Sequence, residues 1–298
     1  MVTVPAPFAA STIAREGPAG EAWLHTLPNL VRDCCDQWGL VVDGAPMHGY
    51  VALVVPVLRA AERLVLKVSW IDRWSEGEAL ALRAWDGHGA VRLLDAREDA
   101  GALLLERLNP DRTLEHTGAA EAVLVAGRLL RRLSVPPPPG IRSVAEEVAD
   151  IRGGLLEQWE RGARPFPRRL LDFTLDLAAA SADESAARVV NQDLHYGNVL
   201  EGAREPWLVI DPKPLAGPPE FAVAPLLWTR FDDLRSRQDL ERRLAMLIDT
   251  AELNSRSARA WSVVRVADYW LWAVQQQFTE DLAKCRTLLD WLAPQFAS

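Results

Sequence analysis

The chain has 298 residues, with 33 Lys and Arg against 41 Asp and Glu, and a formal net charge of −8. Without a basic stripe, this balance argues against a general nucleic-acid-binding protein, and no apolar run reaches the ~18 residues of a membrane-spanning helix. The three cysteines offer neither a disulfide framework nor a metal-ligand spacing. We therefore expect a cytoplasmic protein without a membrane segment.

The N-terminal part is predicted to contain a helix and then an antiparallel sheet. Residues 1–20 are rich in Ala, Pro and Gly and are expected to lie extended on the surface, whereas 22–38 show helical apolar spacing with a break or start at Pro28. A further helix over 76–87 is expected to lie on the sheet. The predicted strands are 40–43, 48–57, 63–70, 91–95 and 102–106.

The C-terminal part is predicted to be mostly helical, because apolar residues recur there every three or four positions. A turn stopped by proline at 107–110 separates it from the sheet. The predicted helices are 119–133, 142–161, 167–189, 221–231, 240–253, 257–278 and 282–292. The expected fold class is α+β.

The stretch 188–214 places oxygen-bearing side chains at loop positions. One apolar run leads into Asp193, and a second leads into Asp211. An antiparallel hairpin that pairs residue 201 with 208 would bring Asn198 beside Asp211. Both carboxylates are therefore expected just beyond buried strands, with an asparagine amide between them in the chain.

This spacing suits a magnesium site that faces phosphate groups. Mg²⁺ is usually held by one or two hard oxygen ligands of the protein, while water and nucleotide complete the octahedron. The pattern Asp193-x4-Asn198 followed by a strand-end Asp211 also matches kinases, in which the first Asp orients the substrate hydroxyl and the other two residues hold metal. The alternative is that both aspartates merely cap strand ends.

Lys67 is the candidate phosphate-binding cation. The chain has only three lysines among its 33 basic residues, and this one lies inside an apolar strand. A compact ammonium serves a phosphate as a point charge. Glu78 could hold Lys67 toward the phosphates, with Glu76 as the alternative partner. A solvent-facing lysine that guards an edge strand is equally consistent with the pattern.

The segment from Glu106 to Leu108 is the candidate adenine-binding connector. Its free backbone groups could hydrogen-bond the base and its apolar side chains could sandwich it, although a plain link from strand to helix gives the same pattern. His195 is expected to pack within its loop, because no second His or Cys stands at a ligand spacing for zinc.

Together these segments resemble the aminoglycoside/hydroxyurea phosphotransferase family of antibiotic-resistance kinases, in particular its streptomycin 6-kinase branch. The resemblance covers about residues 51–230 and includes DLHYGN at 193–198 and IDPKP at 210–214. Further similar phrases are EALALRAWDGHGAVRLLDA at 78–96, GALLLERL at 101–108 and GPPEFAVAPLLWTR at 217–230.

The resemblance implies a protein-kinase-like fold with two lobes. Residues 1–106 would form a nucleotide-binding lobe with a five-stranded antiparallel sheet and one helix, and 107–298 a larger, mostly helical lobe for catalysis and substrate binding. The hinge would lie at about 106–110. The implied cofactors are ATP and Mg²⁺, and the implied acceptor is a small molecule.

The resemblance also assigns roles to individual positions. The family's catalytic base falls on Asp193, its magnesium ligands on Asn198 and Asp211, and its phosphate-binding lysine on Lys67. The implied activity is transfer of a phosphoryl group to a hydroxyl of an aminoglycoside such as streptomycin. Independently of the resemblance, Asp268, Glu280 and Asp281 are candidates for contacting a cation such as an aminocyclitol, and the favoured interpretation of each is a solvated charge on a helix face.

The chain departs from the family's usual pattern around the catalytic loop. Asn191 and Gln192 stand where the family has His-Gly, and Pro218 and Ala222 stand where it has Asp. We expect these changes to loosen the loop without removing the metal ligands. The alternative functions are therefore a kinase-like protein that binds nucleotide with weak or no transfer, and a kinase for a different small metabolite.

Overall fold

Alternating apolar residues build the N-terminal sheet of the computed structural model, which describes residues 2–73, 75–180 and 187–294. The strands that it contains within 2–73 and 75–106 are β1 Val41–Val42, β2 Met47–His48, β3 Ala52–Arg59, β4 Glu62–Ser69, β5 Leu93–Arg97 and β6 Ala102–Glu106. They are antiparallel in the order β1-β3-β4-β6-β5, and β2 also pairs with β3. The predicted fold class is confirmed, but the predicted strand 48–57 is interrupted by a turn at 49–51.

The two faces of this sheet pack against different helices. In β6, Ala102 and Leu104 belong to the core on the side of the N-terminal helix, whereas Leu103 and Leu105 belong to the core that contains α2 (Glu78–Trp85). Side chains alternate along β4 in the same way, so Lys67 faces away from the N-terminal helix. Because β4 lies between β3 and β6, the alternative of an edge-strand lysine is wrong.

The N-terminal helix α1 (Ala6–Trp38) contradicts the expectation of an extended start. Its buried face begins with Phe8 and Thr12 and continues at helical spacing to the end of the helix. Pro28 lies inside α1 without breaking it, because burial of this face against the sheet outweighs the hydrogen bond that proline removes. The backbone departs from helical geometry at Gly17, where φ is 60° and ψ is −142°.

The larger lobe combines short strands with helices. β7 Asn109–Thr113, β9 Val199–Glu201 and β10 Leu208–Val209 form one small sheet, and β8 Arg188–Asn191 pairs with β11 Pro214–Gly217 in another. The helices are α3 Ala119–Leu133, α4 Val144–Arg161, α5 Arg168–Ala180, α6 Pro225–Trp228, α7 Arg237–Ala251, α8 Ser255–Gln276 and α9 Thr279–Leu292. None of the helices in the described ranges is long and apolar enough to cross a membrane.

Two predicted helices of this lobe were wrong in extent. The helix predicted over 167–189 ends at Ala180, residues 181–186 lie outside the described part of the chain, and 188–191 form β8. The helix predicted over 221–231 is instead a set of short 3₁₀ and α segments. Pro219 and Pro225 each start one of these segments, which explains why a single longer helix does not form.

Candidate active site

Lys67 is buried at the centre of a charge cluster that also contains the buried Glu78 and Asp211, the latter with 39% of its side chain exposed. Its Nζ donates to both carboxylate oxygens of Glu78 at 2.7 Å and to Oδ1 of Asp211 at 2.5 Å. The sequence left open whether Glu76 or Glu78 pairs with Lys67, and the structure shows that Glu78 does. Burial acts to lower the pKa of Lys67, but the Asp211 and Glu78 carboxylates outweigh it and raise that pKa, so the side chain stays an ammonium.

Asp211 reaches this cluster from a backbone conformation that few residues adopt. It follows β10 with φ of 50°, in the left-handed region that Asp tolerates better than most non-glycine residues. Burial acts to raise the pKa of its carboxyl, but the Lys67 ammonium, assisted by Lys213, holds that pKa below its usual range. Asp211 is therefore ionised and can hold a cation.

Asp193 lies in a neighbouring loop that follows β8. Its Oδ2 is 2.7 Å from Nζ of Lys213, and its backbone N–H donates to Oδ1 of Asn191 at 3.1 Å. The same Asn191 oxygen accepts from the backbone N–H of Lys213 at 3.1 Å. One amide oxygen thus connects the loop of Asp193 to the loop that follows Asp211.

The register predicted for the hairpin around Asn198 was wrong by one residue. Leu200 pairs with Leu208 and Val199 with Val209, so the carbonyl of Asn198 accepts from Ile210, at 2.9 Å, and Asp211 lies beyond the ladder. Leu208 and Val209 are both buried, so burial alone does not distinguish this register from one shifted by a residue. The Asn198 side chain still contacts the loop of Asp193, because its Nδ2 donates to the carbonyl of Asp193 at 3.4 Å.

A cleft of about 960 Å³ brings several of the predicted residues together. Lys67, Asp193 and Asp211 line it, together with His195, whose Nδ1 accepts from the backbone of Gly197 in its own loop, as expected for a packing role. Residues that the sequence reasoning missed also line it, namely Arg15, Tyr50, Glu147, Asp150, Trp228, Tyr269 and Trp272. They come from α1, the turn 49–51, α4, α6 and α8, and among them Trp228 alone falls in one of the phrases that carry the resemblance.

The connector residues Glu106 and Leu108 are not part of the lining of this cleft. The Glu106 carboxylate accepts from Nη2 of Arg204 at 2.6 Å and from the backbone N–H of Arg92 at 2.7 Å. The backbone N–H of Glu106 donates to the Arg92 carbonyl, so that donor is already used. Leu108 is half-buried and packs against the core of the larger lobe.

The three acidic residues predicted to meet a cationic acceptor have different surroundings. Asp268 lines the cleft, where burial raises the pKa of its carboxyl against the opposing effect of Arg265. Asp281 also lines it but is bound by the Tyr269 hydroxyl and the Lys284 ammonium, each at 3.0 Å. Glu280 is exposed and lies outside the lining. Of these three residues, only Asp268 and Asp281 therefore line the cleft.

Stacked aromatic rings form one wall of the cleft. The Trp228 and Tyr269 rings are 4.6 Å apart and nearly parallel, with an interplanar angle of 12°. The Trp272 ring also stacks with the Tyr269 ring, with 5.5 Å between the ring centres, and Trp272 is 36% exposed. A flat, partly exposed aromatic wall next to buried carboxylates is suited to a ring-shaped or planar cationic group.

Comparison with known proteins gives the same picture. The family model for aminoglycoside/hydroxyurea antibiotic resistance kinases matches residues 37–276. Streptomycin 6-kinase of Streptomyces glaucescens is 41% identical over 287 residues, which covers 92% of this chain and 92% of that protein. Hydroxyurea phosphotransferase of Kitasatospora aureofaciens is 41% identical over 280 residues, which covers 92% of this chain and 81% of that protein.

Solved structures also share the fold. A thermostable mutant of aminoglycoside phosphotransferase APH(4)-Ia, in a ternary complex with AMP-PNP and hygromycin B, has a TM-score of 0.61 at 15% identity and covers 88% of this chain and 98% of that one. At this identity the likeness shows the fold alone. The family match spans most of the sequence and includes the charge cluster and both loops, as the sequence resemblance predicted. The chain belongs to the aminoglycoside/hydroxyurea antibiotic resistance kinase family.

Proposed function

We propose that this phosphotransferase moves the γ-phosphoryl group of ATP to a hydroxyl of streptomycin or a closely related aminoglycoside, with Mg²⁺ as its metal. The observation that carries the proposal is the buried Lys67 ammonium between Glu78 and Asp211, in one cleft with Asp193. The relatives named streptomycin 6-kinase support the choice of acceptor. The relative named hydroxyurea phosphotransferase makes hydroxyurea the second candidate.

Asp193 is proposed to act on the acceptor hydroxyl. Its carboxylate would accept the hydroxyl proton while the acceptor oxygen bonds to the γ-phosphorus and the bond from that phosphorus to the ADP oxygen breaks. Lys67 would neutralise the phosphate oxygens throughout. Little covalent chemistry falls to the protein in such a reaction, so positioning and electrostatic stabilisation supply most of the rate enhancement.

The donor set of the two loops fits a magnesium ion. Asp211 is ionised, and the Asn198 amide donates its N–H to Asp193, which leaves its side-chain oxygen for a ligand. Such hard oxygen donors are the ones Mg²⁺ prefers. When bound, the ion would neutralise charge on the nucleotide phosphates. We propose Asn198 and Asp211 as its protein ligands.

The nucleotide is proposed to bind between the lobes, with adenine at Glu106 and Leu108. The N-terminal sheet ends at Glu106, and the next strand, β7, pairs with β9 of the larger lobe, which supports a hinge at 106–110 and lobes of 1–106 and 107–298. Glu106 would then use its carbonyl and Leu108 its backbone and side chain. Because the reaction consumes ATP, we place the enzyme in the cytoplasm.

A transfer assay tests this function directly. The purified protein is incubated with ATP and Mg²⁺ and, in separate reactions, with streptomycin, hydroxyurea or hygromycin B. We expect ADP release and a product carrying one added phosphoryl group with streptomycin, and loss of both when Mg²⁺ is chelated. Nucleotide binding without transfer to any of these acceptors would favour the alternative of a binding protein.

Arg15 is proposed to assist nucleotide binding from α1. It lies two residues before the kink at Gly17, and its Nη1 donates to the carbonyl of Tyr50 at 2.9 Å, in the turn 49–51 between β2 and β3. Its guanidinium also lies 4.7 Å from the centre of the Tyr50 ring. No described residue accepts a hydrogen bond from its buried Nη2, which is therefore available for a phosphate oxygen.

Arg15→Ala is expected to raise the KM for ATP roughly 10- to 100-fold, since a hydrogen bond to a charged group contributes about 1.5–3 kcal/mol. The KM for the acceptor should change much less, because the turn 49–51 belongs to the nucleotide-binding sheet. Initial-rate kinetics with each substrate varied in turn measure the two constants. Arg32→Ala, which removes an exposed arginine from the same helix, is the control. An unchanged KM for ATP in Arg15→Ala would show that Arg15 has no such role.

A further inference from the structure

The residue that precedes the proposed catalytic base is held by an arginine from a distant helix. Gln192 is only 4% exposed. Its side-chain oxygen accepts from Nη1 of Arg265 at 2.8 Å, and its backbone carbonyl accepts from Nη2 of the same residue at 3.0 Å. The two terminal nitrogens of one guanidinium thus hydrogen-bond the side chain and the main chain of Gln192, next to Asp193. Two such bonds fix both the position and the orientation of Gln192.

The surroundings of Arg265 restrict its movement. It projects from α8 with its guanidinium 4.6 Å from the centre of the Phe221 ring and 6.0 Å from that of Trp228. Burial lowers its pKa, partly opposed by Asp268 and Glu147. A half-buried guanidinium that packs near two rings and makes two hydrogen bonds to one residue is well suited to holding a loop rigidly.

Arg265 also packs against a segment in which the sequence departs from the family's usual pattern. Ala222, which stands where the family usually has Asp, is buried and has no polar side chain. Its neighbour Phe221 is the ring against which the Arg265 guanidinium packs. Gln192 is thus held from α8, by an arginine that packs on the ring next to Ala222.

We propose that Arg265 is a positioning residue for phosphoryl transfer, acting through Gln192 to hold Asp193 in reach of the acceptor hydroxyl. This inference rests on the proposed function. In this role neither Arg265 nor Gln192 contacts the reacting atoms. Removing the hydrogen bonds between them should therefore lower kcat and leave nucleotide binding in place, because Lys67, Asp211 and the hinge do not depend on those bonds.

Three variants test the proposal by steady-state kinetics and by calorimetric binding of MgADP. Arg265→Met and Gln192→Ala are each expected to lower kcat by about 10- to 100-fold while the Kd for MgADP stays within about twofold. The double variant should be no slower than the slower single variant, because the two side chains act as one unit. Arg259→Met is the control and should keep wild-type kcat. It removes another arginine of α8, which pairs with Glu241 of α7.

Two further measurements separate positioning from a general loss of structure. Added guanidinium ion, at concentrations that leave the wild-type rate unchanged, should restore part of kcat to Arg265→Met and none to Gln192→Ala. Arg265→Lys keeps a charge but loses the fork, so it should remain slow. If Arg265→Met does not fold, Arg265→Lys and Gln192→Ala decide the question by their kcat and Kd.

The outcomes distinguish this inference from the function on which it rests. A wild-type protein that transfers no phosphoryl group overturns the proposed function. Two outcomes overturn the positioning role alone, in each case with a wild-type protein that transfers the phosphoryl group. In the first, Gln192→Ala and Arg265→Lys have normal kcat. In the second, their drop in kcat is matched by an equal loss of MgADP binding.

Discussion

Replacing Asp193 with asparagine is expected to lower kcat for phosphoryl transfer by roughly 10²- to 10⁴-fold, the range that a positioned general base contributes. The amide has nearly the same shape, and the contact of the loop with Asn191 runs through the backbone N–H of residue 193. The loop should therefore keep its place. What the variant loses is a carboxylate that can accept the hydroxyl proton and its ion pair with Lys213.

The measurement compares kcat with the Kd for MgADP in the same preparation. We expect the Kd to stay within about twofold, since Lys67 and Asp211 are untouched. Asp36→Asn serves as the control, because Asp36 is exposed on α1 and lies outside the cleft. An Asp193→Asn protein that keeps more than about a tenth of wild-type kcat would rule out the base role.

Much of the fold could be predicted because the relevant signals are local. Alternating apolar residues mark the strands, and the apolar face of α2 identifies the helix laid on the sheet. The pairing of Lys67 with Glu78 was one of two options from the sequence, and helix geometry decides between them, since Glu78 begins α2 on its buried side. Local pattern and tertiary packing agree at these places.

The errors arise where packing or loop length overrides the local pattern. Proline and glycine suggested that the first 20 residues are extended, yet a buried face from Phe8 onward makes them helical. The predicted register of the hairpin was wrong by one residue because neither strand alternates between apolar and polar residues, and both Leu208 and Val209 are buried. The observed register matters for the site, because it leaves Asp211 outside the ladder and able to reach Lys67.

Parts of the site could not be inferred from any local segment. Arg265 is 73 residues from Gln192 in sequence, and Arg15 lies 35 residues from Tyr50. Each contact depends on how whole helices pack against the two lobes. The chain has 33 basic residues, so composition does not single out these two arginines, whereas the scarcity of lysine did draw attention to Lys67.

Lys67→Met is the second variant from which a large effect is expected, and it should fail in two ways. Turnover should be lost because no cation remains at the phosphates. Folding should also suffer, by about 3–5 kcal/mol in the free energy of unfolding, the usual result of removing one partner of a buried ion pair. Chemical denaturation and steady-state kinetics measure the two losses separately. Arg63→Met, which removes an exposed cation from the same strand, should show neither.

The stability loss should depend on pH in a definite direction. Burial raises the pKa of Glu78 even with Lys67 present, and without the ammonium nothing opposes that rise. A carboxyl whose folded pKa lies above its unfolded pKa destabilises the fold at high pH, and this penalty disappears as the pH falls below the unfolded value. The gap in unfolding free energy between Lys67→Met and wild type should therefore be larger at pH 8 than at pH 5.

A second substitution separates the chemical role of Lys67 from its structural one. Glu78→Gln in the Lys67→Met background removes one of the two carboxylates left without a cation, so it should recover part of the lost stability. It cannot recover turnover, because the phosphates still lack their ammonium. A double variant that regains both stability and turnover would mean that Lys67 serves the fold alone, and the phosphate-binding role assigned to it would then be wrong.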